Sequence, residues 1–134
     1  MDQSIHILVV EDEAFIAEML AEILAAEGYQ VDVAGNGRLA LRKIEAQHYD
    51  LILSALRMPE LDGVGLYQEL ARWQPGLLGR LVVITGTAEC KDYQRFLAQT
   101  YLPVLEKPFS LFALHALTRQ VLSPLRSPVQ TPRR

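Results

Sequence analysis

The sequence of 134 residues contains a single cysteine, Cys90. One cysteine excludes an internal disulfide and any zinc site built from several cysteines, and it is typical of a reducing compartment. We expect Cys90 to be chemically inert.

Long hydrophobic runs are also absent. No apolar segment approaches the roughly 18 residues needed to cross a membrane. The first residues, Met1-Asp-Gln-Ser, lack the basic region of a signal peptide. These absences argue against a membrane partner and favour a cytoplasmic location.

The chain has no excess of basic residues over most of its length. Its formal net charge is −3, and residues 123–134 hold three arginines and no acid, so the rest carries −6. An acidic domain argues against nucleic acid as its main partner.

The basic tail, residues 123–134, also contains three prolines, each preceded by Ser or Thr, and little that could be buried. This composition predicts disorder. A cluster of phosphorylation sites and an arm that docks on an anionic surface are the alternatives.

Before the tail, short apolar runs alternate five times with segments of helical spacing. The predicted strands are Ile5–Val10, Tyr29–Ala34, Asp50–Ser54, Leu81–Thr85 and Pro103–Glu106. The predicted helices begin at Ala14, Asn36, Gly63, Ala88 and Ser110, and end near Gly28, Gln47, Trp73, Thr100 and Leu122. Such alternation predicts one α/β domain, residues 1–122, with a parallel sheet and helices on both faces.

Several residues indicate how the helices begin, end and pack. Asn36 and Ser110 can cap the second and last helices, and Gly28 suits a left-handed position after the first. In the second helix we expect Leu39 and Ile44 to face the core.

The stretch Asp50–Gly63 organises the chain. Asp50 to Ser54 is a continuous apolar run, typical of a strand buried on both faces of a parallel sheet. Met58-Pro59 and Leu61-Asp62-Gly63 cannot continue a strand, so we expect a loop after Ser54. The residue at this junction is Ala55, which has no reactive group.

Polar residues follow the other central strands. Glu11 and Asp12 follow the first, Thr85 ends the fourth and Lys107 follows the fifth. Because the carboxyl ends of parallel strands meet at one edge, these residues should converge. Carboxylates, a hydroxyl and an ammonium group suit a small oxyanion together with a cation such as Mg²⁺. Alternatively, the acids only stabilise the start of the first helix against its dipole.

Four motifs carry a resemblance to a known family. Val-Val-Glu-Asp-Glu, Arg-Met-Pro-Glu-Leu-Asp-Gly, Ile-Thr-Gly and Glu-Lys-Pro-Phe occur in order. With this spacing the chain, from residue 5 to about 122, resembles the response-regulator receiver domain of two-component signalling. The phrase Leu-Glu-Lys-Pro-Phe-Ser further resembles receivers attached to hybrid histidine kinases.

The resemblance implies a CheY-like, flavodoxin-like (βα)5 fold with strand order 2-1-3-4-5. It also implies that Asp12, supported by Glu11 and the main-chain carbonyl of Arg57, holds Mg²⁺, and that Thr85 and Lys107 contact a phosphoryl group. Structural roles fall to Met58, Pro59, Gly63 and Pro108, the last after a cis peptide bond.

Two positions depart from the family pattern. The phosphoacceptor aspartate belongs three residues before Met58, where this chain has Ala55. A methyl group cannot form an acyl phosphate, and its presence should weaken Mg²⁺ binding. The switch position, often aromatic in the family, is Val104, and Tyr101 is a candidate substitute.

These departures leave two main hypotheses. The parent is an ordinary phosphorelay receiver in which Ala55 is an introduced change, or the chain is a natural pseudo-receiver that binds proteins without phosphate. A metal-dependent phosphohydrolase is a third hypothesis, but no nucleophile is apparent, so we expect no enzymatic activity.

The resemblance also implies protein partners. These are a histidine kinase or a phosphotransfer protein, and a partner on the face formed by the fourth helix, fifth strand and last helix. A homodimer is a further possibility.

Overall fold

A computed structural model describes residues 4–86 and 91–126. The strands are β1 (His6–Val10), β2 (Gln30–Ala34), β3 (Leu51–Ala55), β4 (Leu81–Thr85) and β5 (Val104–Glu106). The helices are α1 (Ala14–Ala26), α2 (Gly37–Ala46), α3 (Gly63–Trp73), α4 (Gln94–Thr100) and α5 (Leu111–Arg126), with a 3-10 helix at Pro75–Arg80.

All five strands are parallel and follow the order β2-β1-β3-β4-β5. This confirms the predicted fold class and topology. The central strand β3 pairs with β1 on one side and β4 on the other, and every residue of β3 and β4 is buried. Burial on both faces explains why these segments are apolar, except for Ser54 and Thr85, and do not alternate between apolar and polar residues.

The core has one layer on each face of the sheet. On one face, Leu20 and Leu24 of α1 pack with Leu114 and Leu122 of α5. On the other, Ile44 of α2 and Leu66 and Leu70 of α3 pack over β1 and β3. The two layers fix which helices flank the carboxyl ends of the strands.

The predicted helix ends are largely confirmed. The Asn36 side chain accepts a hydrogen bond from the Leu39 amide at 2.9 Å, and Ser110 accepts one from Ala113 at 3.0 Å. Gly28 has φ +99°, the left-handed conformation predicted for it.

Other predictions need correction. Leu39 is exposed, because Ala40 and Ile44, one turn apart, are the residues of α2 that face the sheet. Ala55 is the last residue of β3 rather than the first of a loop. The 3-10 helix after α3 was not predicted. Helix α5 continues past Leu122 to Arg126, so residues 123–126 are helical and the prediction of disorder is wrong for them.

Some predictions concern residues outside the described ranges. Cys90, the start of the helix predicted from Ala88 and residues 127–134 of the tail are among them. Within the described ranges, no helix combines the length and hydropathy that a membrane crossing requires.

Replacing Gly63 by alanine should destabilise the fold. A Cβ at Gly63 would lie 2.7 Å from the Ala55 carbonyl oxygen and 2.9 Å from Leu56 Cα, both backbone atoms. Overpacking of this kind costs about 1–3 kcal/mol. Urea unfolding of Gly63→Ala should show that loss, whereas Gly76→Ala, where the added Cβ meets nothing within 4 Å, should not. Equal stability of the two variants would contradict the close approach.

Candidate functional site

The end of β1 places carboxylates at the edge of the sheet. Glu11 is buried, and its Oε2 accepts a hydrogen bond from the Glu13 amide at 3.1 Å. Its Oε1 is also buried and has no hydrogen-bond partner within the described part of the chain. Asp12 and Glu13 are exposed. The edge therefore carries one buried carboxylate with a free oxygen and two solvated ones.

Lys107 reaches the same edge from the end of β5. Its amide donates to the Thr85 carbonyl at 2.8 Å, which fixes the loop against β4. Its Nζ lies 3.6 Å from Glu11 Oε1 and 3.6 Å from Glu13 Oε1. The ammonium group thus stands between two acids without a close hydrogen bond to either. The Lys107-Pro108 peptide bond is cis, as the resemblance implied.

Burial dominates the electrostatics of Glu11. Desolvation raises the pKa of this carboxyl above its usual value of 4.5, and Asp12 and Glu13 raise it further. The Glu13 amide and Lys107 counteract only part of this effect. The ionised form of Glu11 is therefore held at a cost, which a cation in the cleft would reduce.

A cleft of about 380 Å³ opens beside these groups. Its lining includes Glu11, Asp12, Ala55, Arg57, Met58 and Lys107. The acids and Lys107 therefore meet Ala55 as the sequence predicted. Glu11 follows Val10, which pairs with Ser54, so Glu11 and Ala55 are at the same level on neighbouring strands.

The groups in the cleft suit a hard cation, although they are few. Glu11 and Asp12 bring carboxylate oxygens to the cleft, which Arg57 also lines, and oxygen atoms are the ligands that Mg²⁺ prefers. Among the described residues, however, no three His, Cys, Asp or Glu side chains converge closely enough to hold an ion. The described residues of the cleft therefore supply some, but not all, of the ligands that a bound Mg²⁺ ion needs.

The loop after β3 is shaped by Met58, Pro59 and Gly63. Met58 is buried in the core layer that contains α2 and α3, and Pro59 lines the cleft. The Gly63 amide donates to the Leu56 carbonyl at 2.8 Å, and Asp62 caps α3 by accepting from Gly65 at 2.9 Å. These contacts hold the loop over the end of β3.

Thr85 and Val104 occupy the fourth and fifth strands. Thr85 is fully buried, and its hydroxyl donates to the Gly86 carbonyl at 3.2 Å; it does not line the cleft. Val104 pairs with Val83 in the sheet. Tyr101 is 88% exposed at the end of α4, so it does not replace the missing aromatic at position 104.

A polar network that the sequence analysis missed ties this loop to the segment before α4. The Arg57 side chain forms an ion pair with Asp92, and its guanidinium lies 5.7 Å from the centre of the Tyr93 ring. The Tyr93 hydroxyl donates to Asp62 at 3.2 Å. The partners are 31 to 36 residues apart in sequence, so no local pattern could have indicated the network.

The chain is similar in sequence to known signalling proteins. Residues 7–119 match the family model described as response regulator receiver domain. The transcriptional regulatory protein GlrR of Escherichia coli (strain K12) is 33% identical over 110 residues, which are 82% of this chain and 24% of GlrR. The sensor histidine kinase RcsC of the same organism is 35% identical over 105 residues, 78% of this chain and 11% of RcsC. The chain thus spans about a quarter or less of these relatives.

Solved structures of receiver domains have the same fold as this chain. The signal receiver domain of a histidine kinase from Syntrophus aciditrophicus superposes with a TM-score of 0.81 at 33% identity, covering 92% of this chain and 93% of that one. The receiver domain of the sensor histidine kinase PA1611 from Pseudomonas aeruginosa PAO1 gives 0.80 at 27% identity, covering 90% and 98%. That structure is described with a magnesium ion coordinated in its active-site cleft.

Restoring an aspartate at position 55 should destabilise the metal-free fold near neutral pH. A third carboxylate beside Glu11 and Asp12 would be repelled, and Lys107 is already shared between two acids. We expect Ala55→Asp to lose about 0.5–2 kcal/mol, as is common for charges placed at functional sites. A carboxyl whose pKa is raised by folding destabilises the folded state at pH values above its ordinary pKa, which is 4.5 for Glu11. The loss should therefore shrink as pH falls through the raised pKa of the folded state and be absent below 4.5.

Melting curves with chelator from about pH 4 to pH 8 would measure this loss. Ala55→Asn, of similar size and no charge, is the matched control and should not show the pH dependence. If Ala55→Asp melts higher than the parent chain at neutral pH, attraction to Lys107 outweighs the repulsion.

Proposed function

Because the chain belongs to the response regulator receiver domain family, we propose that it acts in phosphorelay signalling as a protein-binding module that does not accept a phosphoryl group at position 55. The observation that carries this proposal is Ala55 itself. It occupies the carboxyl end of β3, borders the cleft and is level with Glu11. Phosphorylation there requires a carboxylate oxygen to attack phosphorus, and alanine has none.

Among the described residues, neither the hydroxyl of Ser54, beside position 55, nor that of Thr85, on the neighbouring strand, is placed to act as a replacement nucleophile. The Ser54 hydroxyl is buried and donates to the Ala55 carbonyl at 2.9 Å, so it is directed away from the cleft. The Thr85 hydroxyl is also buried and bonded to the backbone. This arrangement supports a module without the usual phosphotransfer and speaks against a phosphohydrolase at this edge.

Three groups at the cleft would hold a metal ion. The side chains of Asp12 and Glu11 and the Arg57 carbonyl would hold Mg²⁺, which when bound supplies positive charge beside position 55. Without an acidic side chain at position 55 this site should be weaker than in a receiver that has one.

The rest of the edge supports descent from a phosphorylatable receiver. Glu11, Asp12, Lys107 and the loop formed by Met58 and Pro59 still surround position 55. A natural pseudo-receiver and a receiver with an introduced change at position 55 would both retain these residues. The inability to accept phosphate at this position is the same in both cases.

Two surfaces support a role in protein binding. The predicted partner face, formed by α4, β5 and α5, carries Tyr101, which is 88% exposed. A second apolar surface surrounds the starts of α1 and α5, where Phe15 is 78% and Phe112 is 82% exposed. Between them, Ile16, Met19 and Phe109 line an apolar groove of about 440 Å³. Exposed apolar area of this kind marks protein contacts. We assign the second surface to a histidine kinase or phosphotransfer partner.

Phosphorylation by a small donor tests the proposal directly. The chain, incubated with acetyl phosphate and Mg²⁺, should gain no phosphoryl group in intact-mass spectra. Ala55→Asp should gain one, because the cleft already holds the acids and Lys107 around that position. Ala55→Asn is the matched control and should remain unmodified.

The result that would overturn the proposal is a phosphoryl adduct on the parent chain. Peptide mapping would then place it on an acceptor other than Ala55. If instead Ala55→Asp also stays unmodified, the edge has lost more than the acceptor, and its derivation from an active receiver would be wrong.

A further inference from the structure

A groove on the α2/α3 side of the molecule takes no part in the site described above. It has a volume of about 260 Å³ and lies between the last turns of α2 and α3. Leu41, Ile44 and Leu70 form its apolar floor, and Trp73 borders it with its side chain 73% exposed. Helices that follow parallel strands end at the amino edge of the sheet, so this α2/α3 groove is at the opposite end of the domain from the cleft.

The rim of the α2/α3 groove is acidic. Glu45 and Glu69 both line it. Glu45 is exposed, and Glu69 faces Arg72 at 4.0 Å, a separation at which an exposed ion pair contributes little. An indole beside two available carboxylates suits a ligand that combines proline or aliphatic groups with arginine.

The chain contains such a ligand in residues 127–134, Ser-Pro-Val-Gln-Thr-Pro-Arg-Arg. Its two prolines favour the extended polyproline conformation, which docks in aromatic-lined grooves with little loss of entropy. Arg133 and Arg134 are complementary in charge to Glu45 and Glu69. No acid interrupts the segment.

The segment also begins within reach of the groove. Helix α5 ends at Arg126 and contacts the 3-10 helix Pro75–Arg80, which begins two residues after Trp73. Eight residues extend to about 26 Å, compared with a radius of gyration of about 14 Å for a domain of this size. Because the segment is tethered, its effective concentration at the groove is in the millimolar range, which favours even weak docking.

We propose that residues 127–134 bind the α2/α3 groove of their own chain, with the prolines against Trp73 and the arginines paired with Glu45 and Glu69. The docked segment covers the apolar floor and the indole. A partner that binds this face would therefore have to displace the segment or bind beside it.

Trp73 is the only tryptophan in the chain, so its fluorescence reports on this groove alone. In the full chain, Arg133→Gln/Arg134→Gln should shift the emission to longer wavelength and increase quenching by acrylamide. Glu45→Gln should act in the same direction. Loss of one exposed pair should lower the ratio of docked to undocked segment by about 1.5- to 5-fold, and added salt should reduce the difference.

A double-mutant cycle separates docking from local effects on the indole. When Arg133→Gln/Arg134→Gln is already present, Glu45→Gln should change the quenching no further. Glu22→Gln, on the exposed side of α1, is the matched control and should leave it unchanged in every background.

Two results would overturn the proposal. In the first, quenching of Trp73 is the same with and without the two arginines. In the second, the protection grows with protein concentration, which would show that residues 127–134 of a second copy occupy the groove.

Discussion

The parallel direction of all five strands is the constraint on which this structure depends. A parallel sheet needs a crossover after each strand, and these crossovers place helices on both faces. The central strand β3 is consequently buried from Leu51 to Ala55. The same geometry brings the ends of β1, β3 and β5 to one edge. Glu11, Ala55 and Lys107, which are 44 to 96 positions apart in sequence, thereby become neighbours in a single cleft.

The two edges of the sheet differ in how their polar groups are satisfied. At the amino edge, Asp50 accepts a hydrogen bond from the His6 amide at 2.9 Å, contacts His48 at 2.9 Å and lies 3.7 Å from Arg80. At the carboxyl edge, Glu11 keeps a buried oxygen without a hydrogen-bond partner in the described residues, and its pKa is raised. A buried carboxyl with a raised pKa that borders a cleft is typical of a binding site.

Ala55 changes the balance of charge at the carboxyl edge of the sheet. The pKa of Glu11 is raised first by burial and then by repulsion from Asp12 and Glu13, and an acid at position 55 would add to that repulsion. The methyl group of Ala55 instead packs in the core layer with Met58. The alanine therefore removes both a reactive group and a source of repulsion. The fold can retain its other site residues without an acceptor, since backbone contacts such as Gly63 to Leu56 hold the loop in place.

Local sequence patterns predicted most of the fold. Continuous apolar runs predicted β1, β3 and β4 to within one residue at each end, because strands buried on both faces need apolar residues almost throughout. Asn36 and Ser110 acted as caps, as side chains of this type do wherever they precede a helix. Leu39 was misplaced because a helix of ten residues allows two apolar faces, and only packing selects the one with Ala40 and Ile44.

The site was predicted less completely. The order of the motifs correctly predicted that the acids, Ala55 and Lys107 lie together. The contacts of Arg57 with Asp92 and Tyr93 join segments that are distant in sequence, and the burial of the Thr85 hydroxyl depends on the whole sheet. Neither could be inferred from residue type or spacing.

We propose that the cleft remains a receiver-type metal site that lacks one ligand. Calorimetric titration with Mg²⁺ tests it most directly, on the parent chain, on Ala55→Asp and on each of these with Glu11→Gln and Asp12→Asn added. We predict saturable binding to the parent chain that is weaker than to Ala55→Asp by about tenfold or more, and loss of binding when both acids are neutralised. Equal affinity of the parent chain and Ala55→Asp would contradict the claim.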